Sequence, residues 1–326
     1  MPGNRPVYEI LENPLEGEVL AAFLRADEAL SRLDERLTLS ELASPLASRL
    51  LYRNACGVMH DEGCLVHLED LVLLDGHAFS GAMYADLSAG LGILKLWQGC
   101  LRGDAGLLLQ APMPGEADRL DVDGDAAGSE ERPELFWDRD WDQPGRLQDW
   151  QRVRQATTAL PALLAAAIAW DAWHVLQPEQ QGCWRSTLVA ALVLRARGKT
   201  RKFLLPLASG QRRLGKRWMA NQPPSQRLVL FLEIVDAAVK ITADELAGLK
   251  GAQERMRLKV TGAQKNSHLA ALAELLIAKP LVSIPMATKA LRVSKQAVRL
   301  MLSKLGSTPR EITGRSRFRC WTVMPR

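Results

Sequence analysis

The residue types best suited to chemistry lie toward the C-terminal end of the chain. Ser294-Lys295-Gln296-Ala297-Val298-Arg299 places an amide and two cations within one helical turn, and further on Arg315, Arg317 and Arg319 occupy alternate positions. A glutamine side chain carries a donor and an acceptor that match the major-groove edge of adenine, while Lys and Arg reach guanine or phosphate. Alternate residues share one face of an extended strand. Three arginines so placed suit a phosphate backbone or a minor groove. A second candidate is His174, within Trp170-Asp-Ala-Trp-His174-Val-Leu-Gln-Pro-Glu179-Gln-Gln-Gly182-Cys-Trp-Arg185. Taken alone, a histidine after an apolar helical run is ordinarily a satisfied core or surface residue.

The elements that must position the first set are legible. Ser267 precedes an amphipathic run (Leu269, Leu272, Leu275, Leu276) that Pro280 ends. Ser283 reads as an N-cap with Pro285 in the first turn, opening a short helix through Leu291. Ser294 caps a third helix, with Ala297, Val298, Met301, Leu302 and Leu305 inward, and Gly306 closes it. Two short helices joined by a tight turn, the second capped by Ser and basic outside, form a helix-turn-helix signature. Lys295, Gln296 and Arg299 then face outward, and Val298, Met301 and Leu302 are core. Arg292 stands where such turns commonly hold glycine, so a left-handed or relaxed turn is expected there. Residues 310–323 read as a β-hairpin wing.

Charge supports this division. The chain has 326 residues and a net charge of +5, from 42 Lys and Arg against 37 Asp and Glu. Residues 250–326 hold 16 of the bases against Glu254, Glu274 and Glu311, a balance of +13; residues 1–249 hold the other 26 bases and 34 acids, or −8. A basic, polyanion-seeking segment therefore follows a mildly acidic body. A second basic cluster, from Arg195 to Arg217, fits equally a nucleic-acid surface or a solvated helix face.

At 47% hydrophobic and 24% charged, the composition excludes a largely disordered chain and a small disulfide scaffold. The five cysteines are scattered without a CxxC pair, which signals reduced thiols and no zinc ribbon. No uninterrupted apolar run is long enough for a membrane span. The N-terminal residues lack a signal-peptide pattern, so a cytoplasmic location is expected. In the body, helices are expected over 17–38, 43–60, 65–74, 82–102, 150–174, 183–197 and 226–249. Residues 112–145 form a Gly-, Pro- and Asp-rich loop. Asp121-Val-Asp-Gly-Asp125 there invites a calcium reading, but Ala126 and Arg132 stand where an EF-hand needs Gly and Glu.

Three stretches, residues 23–34 (Phe-Leu-Arg-Ala-Asp-Glu-Ala-Leu-Ser-Arg-Leu-Asp), 53–63 (Arg-Asn-Ala-Cys-Gly-Val-Met-His-Asp-Glu-Gly) and 170–185, resemble the Fic family in order and spacing. Lys202–Ser209 and Arg227–Leu232 are similar to segments that follow its motif. Fic proteins transfer nucleotide monophosphates to protein hydroxyls, through a motif of the form HPFx(D/E)GNGRxxR. The resemblance places His174 on the motif histidine, a general base, and Arg185 on its second arginine. Val175-Leu176 replace Pro-Phe, and Pro178 falls on the Mg²⁺-holding acid, leaving Glu179 as the substitute. Glu179-Gln180-Gln181 replace the Gly-Asn-Gly phosphate nest, and Gly182 replaces the first arginine. Glu62 and Gly63 match the inhibitory helix, whose serine is here Val58. The resemblance therefore implies a Glu62–Arg185 ion pair and a dismantled active site. The chain also resembles a group of uncharacterised plasmid-encoded rhizobial proteins with a C-terminal helix-turn-helix.

The sequence reading is thus a mainly α protein. A helical region (1–110) carries the inhibitory-helix-like segment, followed by an acidic loop (111–148) and a Fic-like helical core (149–249). A linker (250–266) then leads to a winged helix-turn-helix (267–326). Double-stranded DNA is the expected partner, with Ser294, Lys295, Gln296, Arg299, Arg315, Arg317 and Arg319 at the contact. Transcriptional regulation is the expected role. The body would serve dimerisation, a protein partner or an effector, with no metal and no cofactor. The alternative is a divergent Fic-type transferase using ATP and Mg²⁺.

Overall fold

The computed structural model describes residues 6–77, 79, 81, 83–109, 140–180, 183–261, 268–313 and 319–323. The elements run α1 (Gly17–Thr38), α2 (Ala43–Asp61), α3 (Leu68–Asp75), α4 (Ala85–Arg102), α5 (Ala105–Leu108), α6 (Gln143–Ala156), α7 (Ala162–Leu176), α8 (Arg185–Ala196), α9 (Leu207–Leu214) and α10 (Pro224–Thr261). They continue with α11 (His268–Ala278), β1 (Val282–Ser283), α12 (Ile284–Leu291), α13 (Lys295–Leu305), β2 (Arg310–Glu311) and β3 (Cys320–Thr322). The mainly α expectation holds. None of the described helices is long and apolar enough to cross a membrane, and none of the five cysteines is disulfide-bonded. The acidic loop lies outside the described residues up to position 139.

α7 is buried on every side from Leu163 to Trp173, all apolar but for Asp171, and is accordingly central. It packs against α6, α8, α10 and α1. α9 fits between α2 and α10 because glycine is present at both contacts. A Cβ on Gly57 would come within 2.8 Å of the Ala208 backbone, and one on Gly210 within 2.5 Å of the Ile234 carbonyl. Asn54 on α2 completes the joint: its Oδ1 accepts from the N–H groups of Ala208 (3.0 Å) and Ser209 (3.4 Å), capping α9 from another helix.

Two expected spans need correction. Residues 150–174 are not one helix: α6 ends at Ala156 and α7 begins at Ala162, with Pro161 as its N-cap. Proline lacks the donor an uninterrupted helix needs there. The break is fastened by Arg197, which donates to the carbonyls of Leu160 (2.9 Å) and Thr157 (2.9 Å). The other span is the expected linker 250–266, which is helical as far as Thr261 because Ala252 and Met256 are buried and keep α10 packed. The C-terminal region is thus carried on the end of a 38-residue helix.

That region is a three-helix unit with a small sheet, in the order β1-β3-β2, all antiparallel. It is bolted to the body by Arg49 of α2, which is fully buried. The Arg49 guanidinium donates to the carbonyls of Leu276 (3.0 Å) and Lys279 (2.7 Å) at the end of α11. Burial lowers its pKa to about 10, against the opposing pull of Glu245. One turn along α2, Arg53 pairs with the buried Glu245 of α10 at 2.7 Å. A cleft of about 560 Å³ remains between body and C-terminal unit, lined among others by Arg53, His67, Asp70, Leu281 and Ile312, with Glu69 facing Arg310 across it at 3.7 Å.

Candidate functional site

The helix-turn-helix forms as its caps dictate. Ser283 accepts from the Met286 N–H at 3.3 Å to open α12, and Ser294 accepts from the Ala297 N–H at 3.1 Å to open α13. Between them Arg292 adopts the left-handed conformation (φ 54°, ψ 41°) that the missing glycine implied. Val298, Met301, Leu302 and Leu305 are buried, and Gly306 (φ 68°) ends the helix. Lys295, Gln296 and Arg299 are exposed, on a face the body leaves open. None of the three has a hydrogen bond or ion pair among the described residues. Arg319 is exposed, pairs with Glu311, and lies 5.3 Å from the centroid of Trp321. Arg315 and Arg317 lie outside the described residues. Leu300, which the sequence reading did not single out, is also exposed on the outer face.

The second basic cluster resolves largely into fasteners. Lys199 reaches Asp27 at 2.7 Å, Arg201 reaches Asp34 at 2.6 Å, and Lys202 donates to the Thr38 carbonyl at 2.9 Å. Arg213 pairs with Asp244 and Lys216 with Glu233. These bases tie α1 and α10 to the segments around α9, so few of them remain to face a polyanion.

Of the residues that the Fic resemblance singled out, His174, Glu179 and Arg185 lie at the junction of α7 and α8. His174 presents Nε2 to the buried Ser186 hydroxyl at 3.0 Å. Its ring is stacked on Trp218 (5.0 Å) and edge-on to Trp170 (4.8 Å). Burial, with the Arg227 charge nearby, lowers the His174 pKa to about 3. An imidazole so disposed stays neutral near neutral pH. Arg185, 3% exposed, pairs with Glu179 at 2.6 Å. Glu179 is six residues away across the α7–α8 turn and so forms the more local contact. Glu62 lies near Cys183, whose thiol pKa is raised by desolvation first and then by the Glu62 charge.

Below this site lies a network that sequence reasoning missed. Asp171, fully buried on α7, accepts from Arg227 Nε (2.8 Å), Arg227 Nη2 (3.1 Å), Trp218 Nε1 (2.6 Å) and Tyr8 Oη (3.0 Å). A lone acid inside an otherwise apolar helix was the available signal, since a buried carboxylate needs a cation and donors. Trp218 links this network to the histidine by stacking on it. Pro178 stands on the position to which the resemblance assigned a metal-holding acid, and Glu179, the expected substitute, is paired with Arg185. Gln181 and Gly182 lie outside the described residues.

Residues 269–324 match the family model of an HTH DNA-binding domain, and residues 135–261 match that of a protein of unknown function (DUF1612). The chain therefore carries a C-terminal helix-turn-helix DNA-binding domain behind a helical body. It is similar to the uncharacterized protein y4cF of Sinorhizobium fredii (strain NBRC 101917 / NGR234), 29% identical over 358 residues that cover 90% of this chain and 94% of the relative. Among solved structures it is similar to a Fic family protein from Desulfovibrio desulfuricans G20, at 16% identity and a TM-score of 0.49, covering 98% of both chains.

Proposed function

We propose that the protein is a DNA-binding transcriptional regulator whose Fic-like body has no transferase activity and instead places and adjusts the DNA-binding domain. One observation carries this reading. The Ser294-capped helix presents Lys295, Gln296 and Arg299 on a face that neither its own domain nor the body covers. Its opposite face fills the domain core. The helix enters the major groove with Gln296 and Arg299 toward base edges and Lys295 toward phosphate. Arg315, Arg317 and Arg319 of the wing hold the backbone.

The body's role in this proposal is to sense an effector or a partner, or to pair two copies. The cleft between α3 and the C-terminal unit supports the effector reading, because its walls belong to both parts. A ligand seated there would bear on the Glu69–Arg310 contact and hence on the angle of the domain. The low basicity of His174 and the engagement of Glu179 with Arg185 support loss of transfer chemistry.

The test is fluorescence anisotropy of the full chain on its own upstream DNA and on a scrambled duplex, across a salt series. Steep salt dependence and preference for the upstream fragment, both lost in Lys295→Ala/Arg299→Ala, are the expected result. Absence of binding at low salt would overturn the reading. A thermal shift with millimolar ATP and Mg²⁺ that disappears in Arg185→Ala would restore the transferase.

A further inference from the structure

The outer face of α13 holds one side chain that cations and amides do not explain. Leu300 is 59% exposed, the one large apolar side chain so open among the described residues 268–313. It lies one turn from Gln296 and next to Arg299, all three on the side opposite Val298, Met301, Leu302 and Leu305. The helix carries no acid, and Lys295 and Lys304 extend its positive charge to both ends. The core is complete without Leu300, so packing does not require an apolar residue there. A leucine at the centre of a basic face adds helix propensity, and its apolar surface gains further only when an apolar group covers it.

The complement of this face is a polyanion that carries a small apolar group between its charges. The major groove offers one, the C5-methyl of thymine, which stands clear of the base edge and is the group that apolar side chains contact there. We propose that Leu300 determines sequence specificity by packing on a thymine methyl beside the base pair that Gln296 contacts. This inference rests on the DNA-binding reading above, and its test separates the two.

Binding sites would first be selected from a random duplex pool with the full chain. Each thymine of the selected site would then be replaced singly by deoxyuridine, which pairs identically but lacks the methyl. The expected result is one thymine per contacted half-site at which the replacement weakens binding about fourfold, the effect of one buried methyl group. Leu300→Ala should bind the thymine site about fourfold more weakly than wild type and ignore the replacement. Its exposure means the variant folds. Indifference of the wild type to deoxyuridine at every position, with site selection intact, would overturn the Leu300 inference and leave the DNA reading standing. Failure to select or bind any duplex would overturn both. A change of oligomeric state in Leu300→Ala, seen by size-exclusion chromatography with light scattering, would assign the residue to an interface between copies and overturn the thymine contact.

Discussion

The α7–α8 junction and the outer face of α13 use the same kinds of side chain to opposite ends. At the junction Asp171 receives four hydrogen bonds, Arg185 is paired with Glu179, and His174 is wedged between two indoles with its Nε2 on Ser186. On α13, Lys295, Gln296 and Arg299 reach into solvent with no partner among the described residues. A buried charge is tolerable only when it is paired and hydrogen-bonded, so the first set is committed to holding the fold. An exposed cation loses little by waiting for a ligand. Engagement inside the chain, rather than residue type, separates the two regions.

The comparison breaks most visibly at Asp171. Asp171→Ala leaves Arg227 buried without its carboxylate and should lower stability by about 3–5 kcal/mol, measured by urea denaturation. The folded fraction should keep its affinity for DNA. A large loss of affinity at unchanged stability would mean that this network is part of a binding site after all.

Next in size is the double variant Gln296→Ala/Arg299→Ala. It should weaken sequence-specific binding by about 2–4 kcal/mol in anisotropy titrations, with an unchanged Tm. A matching fall in Tm would erase the distinction between the two regions.

The histidine gives a smaller effect with a defined sign. Unfolded His174 titrates near the usual 6.5 and the folded residue at about 3, so between these values the unfolded chain binds the extra proton. Stability from this residue is therefore complete above pH 6.5 and is lost as pH falls toward 3. Between pH 7 and 5.5 the loss is about 1 kcal/mol. The fall in stability between pH 7 and 5.5, from urea denaturation, should be about 1 kcal/mol smaller in His174→Gln than in the wild type. An equal pH dependence in wild type and variant would mean that folded His174 takes up its proton as the unfolded residue does, and a catalytic role would return.

Smallest is Ser294→Ala, which removes the cap on α13 and should reduce stability by about 1 kcal/mol in thermal melts. DNA affinity should fall only through fraying of the first turn, where Lys295 and Gln296 sit.

The C-terminal domain was nearly all legible in the sequence, because its determinants are local. Ser283 and Ser294 act within one turn of themselves, Pro285 starts a helix, and 3.6-residue spacing separates Val298, Met301 and Leu302 from Lys295, Gln296 and Arg299. Even the strained turn at Arg292 could be anticipated from the absence of glycine. The body was legible only as a set of helices. α1 and α2 followed from apolar spacing, but the apolar run through Pro161 concealed a break, and the burial of Ala252 and Met256 that prolongs α10 depends on distant neighbours.

The amino-acid sequence by itself determined the helical class, the concentration of positive charge after residue 249, and the helix-turn-helix with its outward residues. Only the tertiary structure decided which polar groups are engaged. It turned the basic cluster at 195–217 largely into ties between helices, and lodged Arg49 against the carbonyls that end α11. Those outcomes depend on pairings between residues far apart in the chain, selected by the need to neutralise every charge that packing removes from water. Periodicity and capping carry no information about such pairings.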